Sequence, residues 1–104
     1  MYIYNVTINV DDSVVENWLQ WIRPHIVEVL KTGKFVSAKF TQVLVEEEMG
    51  GVTFSIQYTA KTKEDIQAYY NEHADEFRQD GIRKFGEKCL AFRTEMKLIE
   101  EIYA

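Results

Sequence analysis

An α+β fold, with four antiparallel strands and two helices on one face of the sheet, follows from three features of this 104-residue chain. Two stretches, Tyr2 to Val10 and Val52 to Ala60, alternate apolar and polar residues almost without error. Side chains in a strand change faces at every residue, so a period of two marks a sheet with one buried face. Two further stretches repeat apolar residues every three or four positions, the period of an amphipathic helix. The third feature is the order of elements: strand, helix, strand, strand, helix, strand. Two split strand–helix–strand units joined by a hairpin define a ferredoxin-like βαββαβ sandwich.

In the first strand Tyr2, Tyr4, Val6, Ile8 and Val10 point one way, and Asn5, Thr7 and Asn9 the other. Ser13-Val14-Val15-Glu16 then reads as a capping box, the serine hydroxyl and the glutamate each satisfying a backbone N–H. Val15, Trp18, Leu19, Ile22, Ile26, Val29 and Leu30 form the apolar stripe of the first helix. Pro24 falls inside it and is expected to kink or split it, having no N–H to bond back to Gln20. Thr32-Gly33 ends the helix, since glycine accepts the left-handed conformation.

An extended segment runs from Phe35 to about Glu47, and Met49-Gly50-Gly51 supplies the turn into the strand from Val52. So short a turn excludes a doubly wound parallel sheet, whose crossovers need a dozen residues or more. Thr62-Lys63-Glu64-Asp65 opens a second helix with Ile66, Tyr69, Tyr70, His73, Ala74 and Phe77 on one side. Asp80-Gly81 is expected to interrupt it before a short turn from Ile82 to Phe85. In the last strand, from about Lys88 to Ile99, Leu90, Phe92, Met96 and Leu98 are expected on the core face. Ala91, Arg93, Glu95 and Lys97 then take the other.

Length and composition set the class. A single domain from 1 to 104 buries roughly 60–70% of its unfolded surface, and 46% apolar residues with 13% aromatic provide a core. Seventeen acidic against twelve basic residues give a net charge of −5. With no basic cluster to offset it, that balance argues against nucleic acid. Cys89 has no partner for an internal disulfide, and no Cys/His spacing suggests zinc. No apolar run approaches the ~18 residues of a membrane span, and no basic, apolar leader pattern opens the chain. A cytoplasmic protein without cofactor or metal is expected.

The candidate ligand-binding residues are Asn5, Thr7, Asn9, Ser55, Gln57, Arg93 and Glu95, placed on the face opposite the helices with Ser37, Lys39 and Thr41. Amides and hydroxyls stand there where an open face would favour Lys and Glu, and Ile3 and Ala91 lie among them. Either the face is open to water, as antiparallel sheets allow, or a second subunit covers it and encloses a polar cavity. Trp21 and His25, one helical turn apart, lie to one side of the core stripe. They form either a contact surface for a partner or a pocket mouth with His25 as acid or base. His73, among Tyr69, Tyr70 and Phe77, reads as a core histidine before a catalytic one. Cys89 reads as a structural thiol, Arg93 and Glu95 as a pair, and Glu46-Glu47-Glu48 as a solvated run that guards a strand edge.

Several segments carry a family resemblance: Tyr4-Asn5-Val6-Thr7, Trp18-Leu19-Gln20-Trp21, Thr32-Gly33-Lys34-Phe35 and Ala91-Phe92-Arg93-Thr94-Glu95. The most specific is Val43-Leu44-Val45-Glu46-Glu47-Glu48-Met49-Gly50-Gly51. With these, nearly the whole chain resembles domain-of-unknown-function family 4286, a group of short bacterial proteins. The resemblance implies a homodimer of the dimeric α+β barrel type with no assigned activity. The family tends to read His-Ile-Pro where this chain has His25-Ile26-Val27, its proline standing at Pro24. Dimeric α+β barrels include haem-degrading and quinol-forming monooxygenases and small isomerases. Asn5 and His73 resemble two residues of the haem-degrading members, but their tryptophan near the end of the third strand has no counterpart here.

Two functions follow as expectations. One is a homodimeric small-molecule-binding or accessory protein with a polar cavity between sheet faces. The other is a cofactor-free isomerase or monooxygenase-like enzyme on a small cyclic or aromatic substrate, with His25 or His73 carrying protons.

Overall fold

The computed structural model describes residues 1–46, 48 and 50–104. Its four strands are β1 (Tyr2–Val10), β2 (Ser37–Gln42), β3 (Val52–Ala60) and β4 (Cys89–Lys97), all paired antiparallel in the order β2-β3-β1-β4. Helix α1 (Val15–Lys31) connects β1 to β2; α2 (Lys63–Tyr69) and α3 (Asp75–Phe85) lie between β3 and β4. The sheet is open. Strands β2 and β4 stand at opposite edges with two strands between them, so no ladder joins them. This corrects the barrel implied by the family resemblance, because closure requires the first and last strands to pair.

The clean alternation of β1 and β3 is realised as expected. Tyr4, Val6, Ile8 and Val10 pair with Tyr58, Ile56, Phe54 and Val52 on the face that meets the helices. Trp18, Ile22 and Val29 of α1 and Ile66 and Tyr69 of α2 close the core above them. Each such side chain stabilises the fold by roughly 1.5–3 kcal/mol when fully buried.

Several local expectations need correction. Helix α1 runs unbroken through Pro24. Its start is organised by Asp11, whose carboxylate accepts from the Ser13 N–H at 2.9 Å and the Ser13 hydroxyl at 2.6 Å. The Ser13–Glu16 capping box therefore does not form, because Asp11 has already claimed the serine. The second helical region continues through Gly81 to Phe85. There the Cβ that glycine lacks would lie 3.4 Å from Trp21 Cη2, so the small residue lets the two helices close on each other.

Between α2 and α3 the backbone makes one turn of π-helix, Tyr70–Ala74, without leaving the right-handed region. Strand β2 is shorter than the extended run read from sequence. The turn at Met49-Gly50-Gly51 and the run Glu46-Glu47-Glu48 fall in part on Met49 and Glu47, which lie outside the described residues. Gly51 is required where it stands: φ is +82°, and a Cβ would meet the Val10 carbonyl oxygen at 2.8 Å.

The largest correction concerns β4. Its register with β1 sets Arg93 opposite Val6, Glu95 opposite Tyr4 and Ala91 opposite Ile8. Directly opposed residues share a face, so these three side chains lie on the helix side. Leu90, Phe92 and Met96, opposite Asn9, Thr7 and Ile3, lie on the outer face and are exposed, Phe92 by 69%. The hydrophobic half of β4 therefore faces away from the core. Backbone pairing with β1 decides which face each residue takes, and apolar content does not override it.

Candidate functional site

A cavity of about 120 Å³ lies between the sheet and the helices, beside β4. Strand β1 supplies Tyr4, Val6 and Ile8 as its floor; α1 supplies Trp21, Ile22 and His25; α3 supplies Phe77, Arg78 and Phe85. Ala91 and Arg93 enter from β4. The cavity forms because β4 presents alanine and polar side chains inward where β1 and β3 present bulk. Trp21 and His25, four residues apart on one face of α1, stack with ring centroids 4.5 Å apart. Phe85 abuts Trp21 edge-on at 5.4 Å, and Phe77 abuts His25 edge-on at 5.3 Å. The pair thus packs against α3 within the same chain and walls the cavity.

The polar centre of the cavity is the Tyr4 hydroxyl. Arg78 Nη2 donates to it at 3.2 Å and Arg93 Nε at 3.1 Å. A tyrosine among Val and Ile on a core strand needs such partners when its ring is buried. Four aromatic neighbours hold the Tyr4 ring: Phe35, Tyr58, Tyr69 and Tyr70, all with centroids within 6.0 Å. The guanidinium carbon of Arg78 lies 5.7 Å from the Tyr70 ring centroid, a cation–π arrangement. Burial, and next the negative charge of Glu95, push the Tyr70 hydroxyl up to about 12. Burial likewise raises the hydroxyls of Tyr58 and Tyr69 far above their ordinary value. All three stay neutral at physiological pH.

Burial holds the imidazole of His25 below the ordinary 6.5, with Asp80 pulling the other way. His25 also borders a shallow cleft between α1 and α3, with Pro24, Asp80 and Lys84. It therefore stands between the interior cavity and the surface, neutral at pH 7. His73 sits elsewhere on its helix, half-buried, its ring 6.3 Å from that of Tyr69, and does not line the cavity. Cys89 borders the cavity, and burial lifts its thiol to about 11.

Asn5, Thr7, Asn9, Ser55 and Gln57 do share the outer face, as expected, but Arg93 and Glu95 face the helices instead. The outer residues bond chiefly to one another. Ser55 Oγ donates to Asn5 Oδ1 at 2.7 Å, Asn5 Nδ2 to Thr7 Oγ1 at 3.0 Å, and Asn9 Nδ2 to Thr53 Oγ1 at 3.3 Å. The sequence reading assigned no role to Arg78 and only packing to Tyr4. Their signals were present: a basic residue at Arg78, four positions after Ala74 on the apolar flank, and a phenol on a core strand.

No group of three or more His, Cys, Asp and Glu side chains is placed to hold a metal ion among the described residues. Nor is any described helix long and apolar enough to cross a membrane.

The fold and cavity define the class: a ferredoxin-like α+β sandwich with an aromatic cavity between its two layers. The chain belongs to the family described as Domain of unknown function (DUF4286), whose profile matches residues 1–99. No curated protein matches it. Among solved structures, it is similar to a dimeric ferredoxin-like protein from an uncultured marine organism. That likeness has 14% identity and a TM-score of 0.73, over 97% of this chain and 97% of that one. It is also similar to a candidate antibiotic biosynthesis monooxygenase from Deinococcus radiodurans, at 11% identity and TM-score 0.64, over 100% and 98% of the two chains. A dimeric ferredoxin-like protein of unknown function from Thermobifida fusca matches at 13% identity and TM-score 0.56, over 92% of each. Identities this low bear on the fold alone.

Proposed function

We propose that the protein is a homodimer that binds a small molecule in the cavity between sheet and helices. The cavity itself carries the reading: about 120 Å³, aromatic and aliphatic walls, and a few convergent polar groups around Tyr4. Two of the similar structures are named as dimeric, and the exposed Leu90, Phe92 and Met96 on the outer face supply an apolar surface for a second copy. Light scattering at micromolar concentration is expected to give twice the chain mass; a monomer overturns the dimer. Titration with benzamide, followed by amide chemical shifts, is expected to move resonances around Trp21, His25 and Tyr69. Shifts confined to the outer face around Asn5 and Gln57 would return the ligand site to that face.

A second reading, a cofactor-free enzyme on a small cyclic substrate, is supported by one observation: a neutral His25 on the cavity wall. Such a base is expected to exchange the α-hydrogens of cyclohexanone with deuterated solvent. His25→Gln should lose the exchange and keep binding; equal exchange by the variant removes His25 from the mechanism.

A further inference from the structure

We infer that the ligand is a small planar carboxylate, one ring bearing one carboxyl group, clamped by Arg78, Arg93 and the Tyr4 hydroxyl. This rests on the reading of the cavity as a ligand site and adds the ligand's charge and shape. The two guanidinium groups arrive from different elements, α3 and β4, and converge on one neutral oxygen at 3.2 and 3.1 Å. Two like charges brought to a neutral acceptor repel each other, so an anion between them is the missing counterpart.

The protein provides no such anion. Among the described residues the ion pairs are Lys31–Glu28, Lys34–Glu72 and Arg83–Asp80, and neither cavity arginine takes part in one. The Nε of Arg78 is buried without an acceptor. The Tyr70 ring offers its quadrupole to Arg78 but no charge. In a chain of net charge −5 with seventeen acidic residues, two unpaired arginines at one cavity stand out.

Chemistry and size narrow the anion. Having accepted two hydrogen bonds, the Tyr4 hydroxyl keeps its own proton to donate. Three donors of this kind suit a planar carboxylate, which guanidinium forks match in geometry. The remaining walls, Trp21, Ile22 and Phe85, are apolar. A volume of about 120 Å³ accommodates one six-membered ring; an apolar cavity of about 150 Å³ holds benzene. A sugar phosphate is larger and would set hydroxyls against Trp21 and Phe85 without partners.

The test is calorimetric titration of the full chain with benzoate, using benzamide as its uncharged counterpart, on the wild type and on Arg78→Met and Arg93→Met. Benzoate is expected to bind about tenfold more tightly than benzamide or better, and each variant to bring the two ligands level. If benzamide binds and benzoate binds no more tightly, the carboxylate assignment is overturned while the cavity reading stands. If neither binds, both fall. Should circular dichroism show Arg78→Met unfolded, Arg93→Met decides, because Arg93 is exposed on an edge strand. Unchanged benzoate affinity in that variant overturns the inference.

Discussion

The two ends of the layer between sheet and helices are built on opposite plans. Under the first half of α1, Trp18 is 1% exposed, stacks on Phe54 with centroids 4.8 Å apart and touches Phe40 at 5.9 Å. Nothing polar interrupts that end. Beside β4 the same layer holds a cavity, two arginines and a neutral histidine. Strand β3 fills its inward positions with Phe54, Ile56 and Tyr58, while β4 fills its own with Ala91, Arg93 and Glu95. A single sheet thus separates stability from recognition by what its strands turn inward: the filled end holds the chain together, and the open end is free to specialise.

The largest test of that contrast is a pair of truncations. Trp18→Ala is expected to cost about 3–5 kcal/mol in urea unfolding, the range for a large aromatic removed from a packed core. Trp21→Ala borders the cavity and should cost about half as much; equal losses would show that both ends bear the fold equally. Next comes Tyr4→Phe, which strips two guanidinium groups of their shared acceptor. Its expected cost is about 1–3 kcal/mol by the same assay, and Arg93, being exposed, recovers part of its bond from water.

A smaller effect depends on pH. Because His25 titrates below 6.5 in the fold, the unfolded chain binds the extra proton first as pH falls. Stability is therefore full above 6.5 and declines from there down to the lowered folded value. Melting temperatures of wild type and His25→Phe should diverge as the buffer is taken from pH 7.5 towards 5, the wild type falling faster. Parallel curves would place His25 in contact with water. The smallest effect has the opposite sign. A Cβ at position 81 just reaches van der Waals contact with Trp21, so Gly81→Ala should stabilise α3 by up to about 1 kcal/mol through helix propensity. A loss would mean the helices beside the cavity are closed more tightly than their spacing indicates.

The contrast also explains what was legible beforehand. The alternation in β1 and β3 announced both strands and their inward faces, because each position was either plainly apolar or plainly polar. The stripe of α1, the Thr62 cap, whose hydroxyl accepts from the Asp65 N–H at 3.1 Å, and the antiparallel order were readable for the same reason. Strand β4 was not: it alternates just as cleanly, but its apolar half faces outward. Periodicity gives the two halves of a strand and leaves open which half faces in; the pairing of Val6 with Arg93 settles it. That reversal moved the candidate site from the outer face to the interior. Gly81 misled for a related reason, since its value lies in a neighbour, Trp21, distant in sequence. Asp11 displaced the capping box because two acceptors compete for Ser13 and only geometry ranks them.

The turn of π-helix at Tyr70–Ala74 has a hereditary consequence. Such a turn holds one residue more than an α-helical turn needs. Deleting any one codon in this stretch would leave a continuous, regular helix, yet α3 would emerge rotated by about 100° relative to α2. Phe77 and Arg78 would swing off the cavity together, while Ile66 and Tyr69 kept their places in the core. The charge at the centre of the cavity therefore hangs on a single in-frame triplet, and a lineage that lost it would keep the fold and lose the clamp.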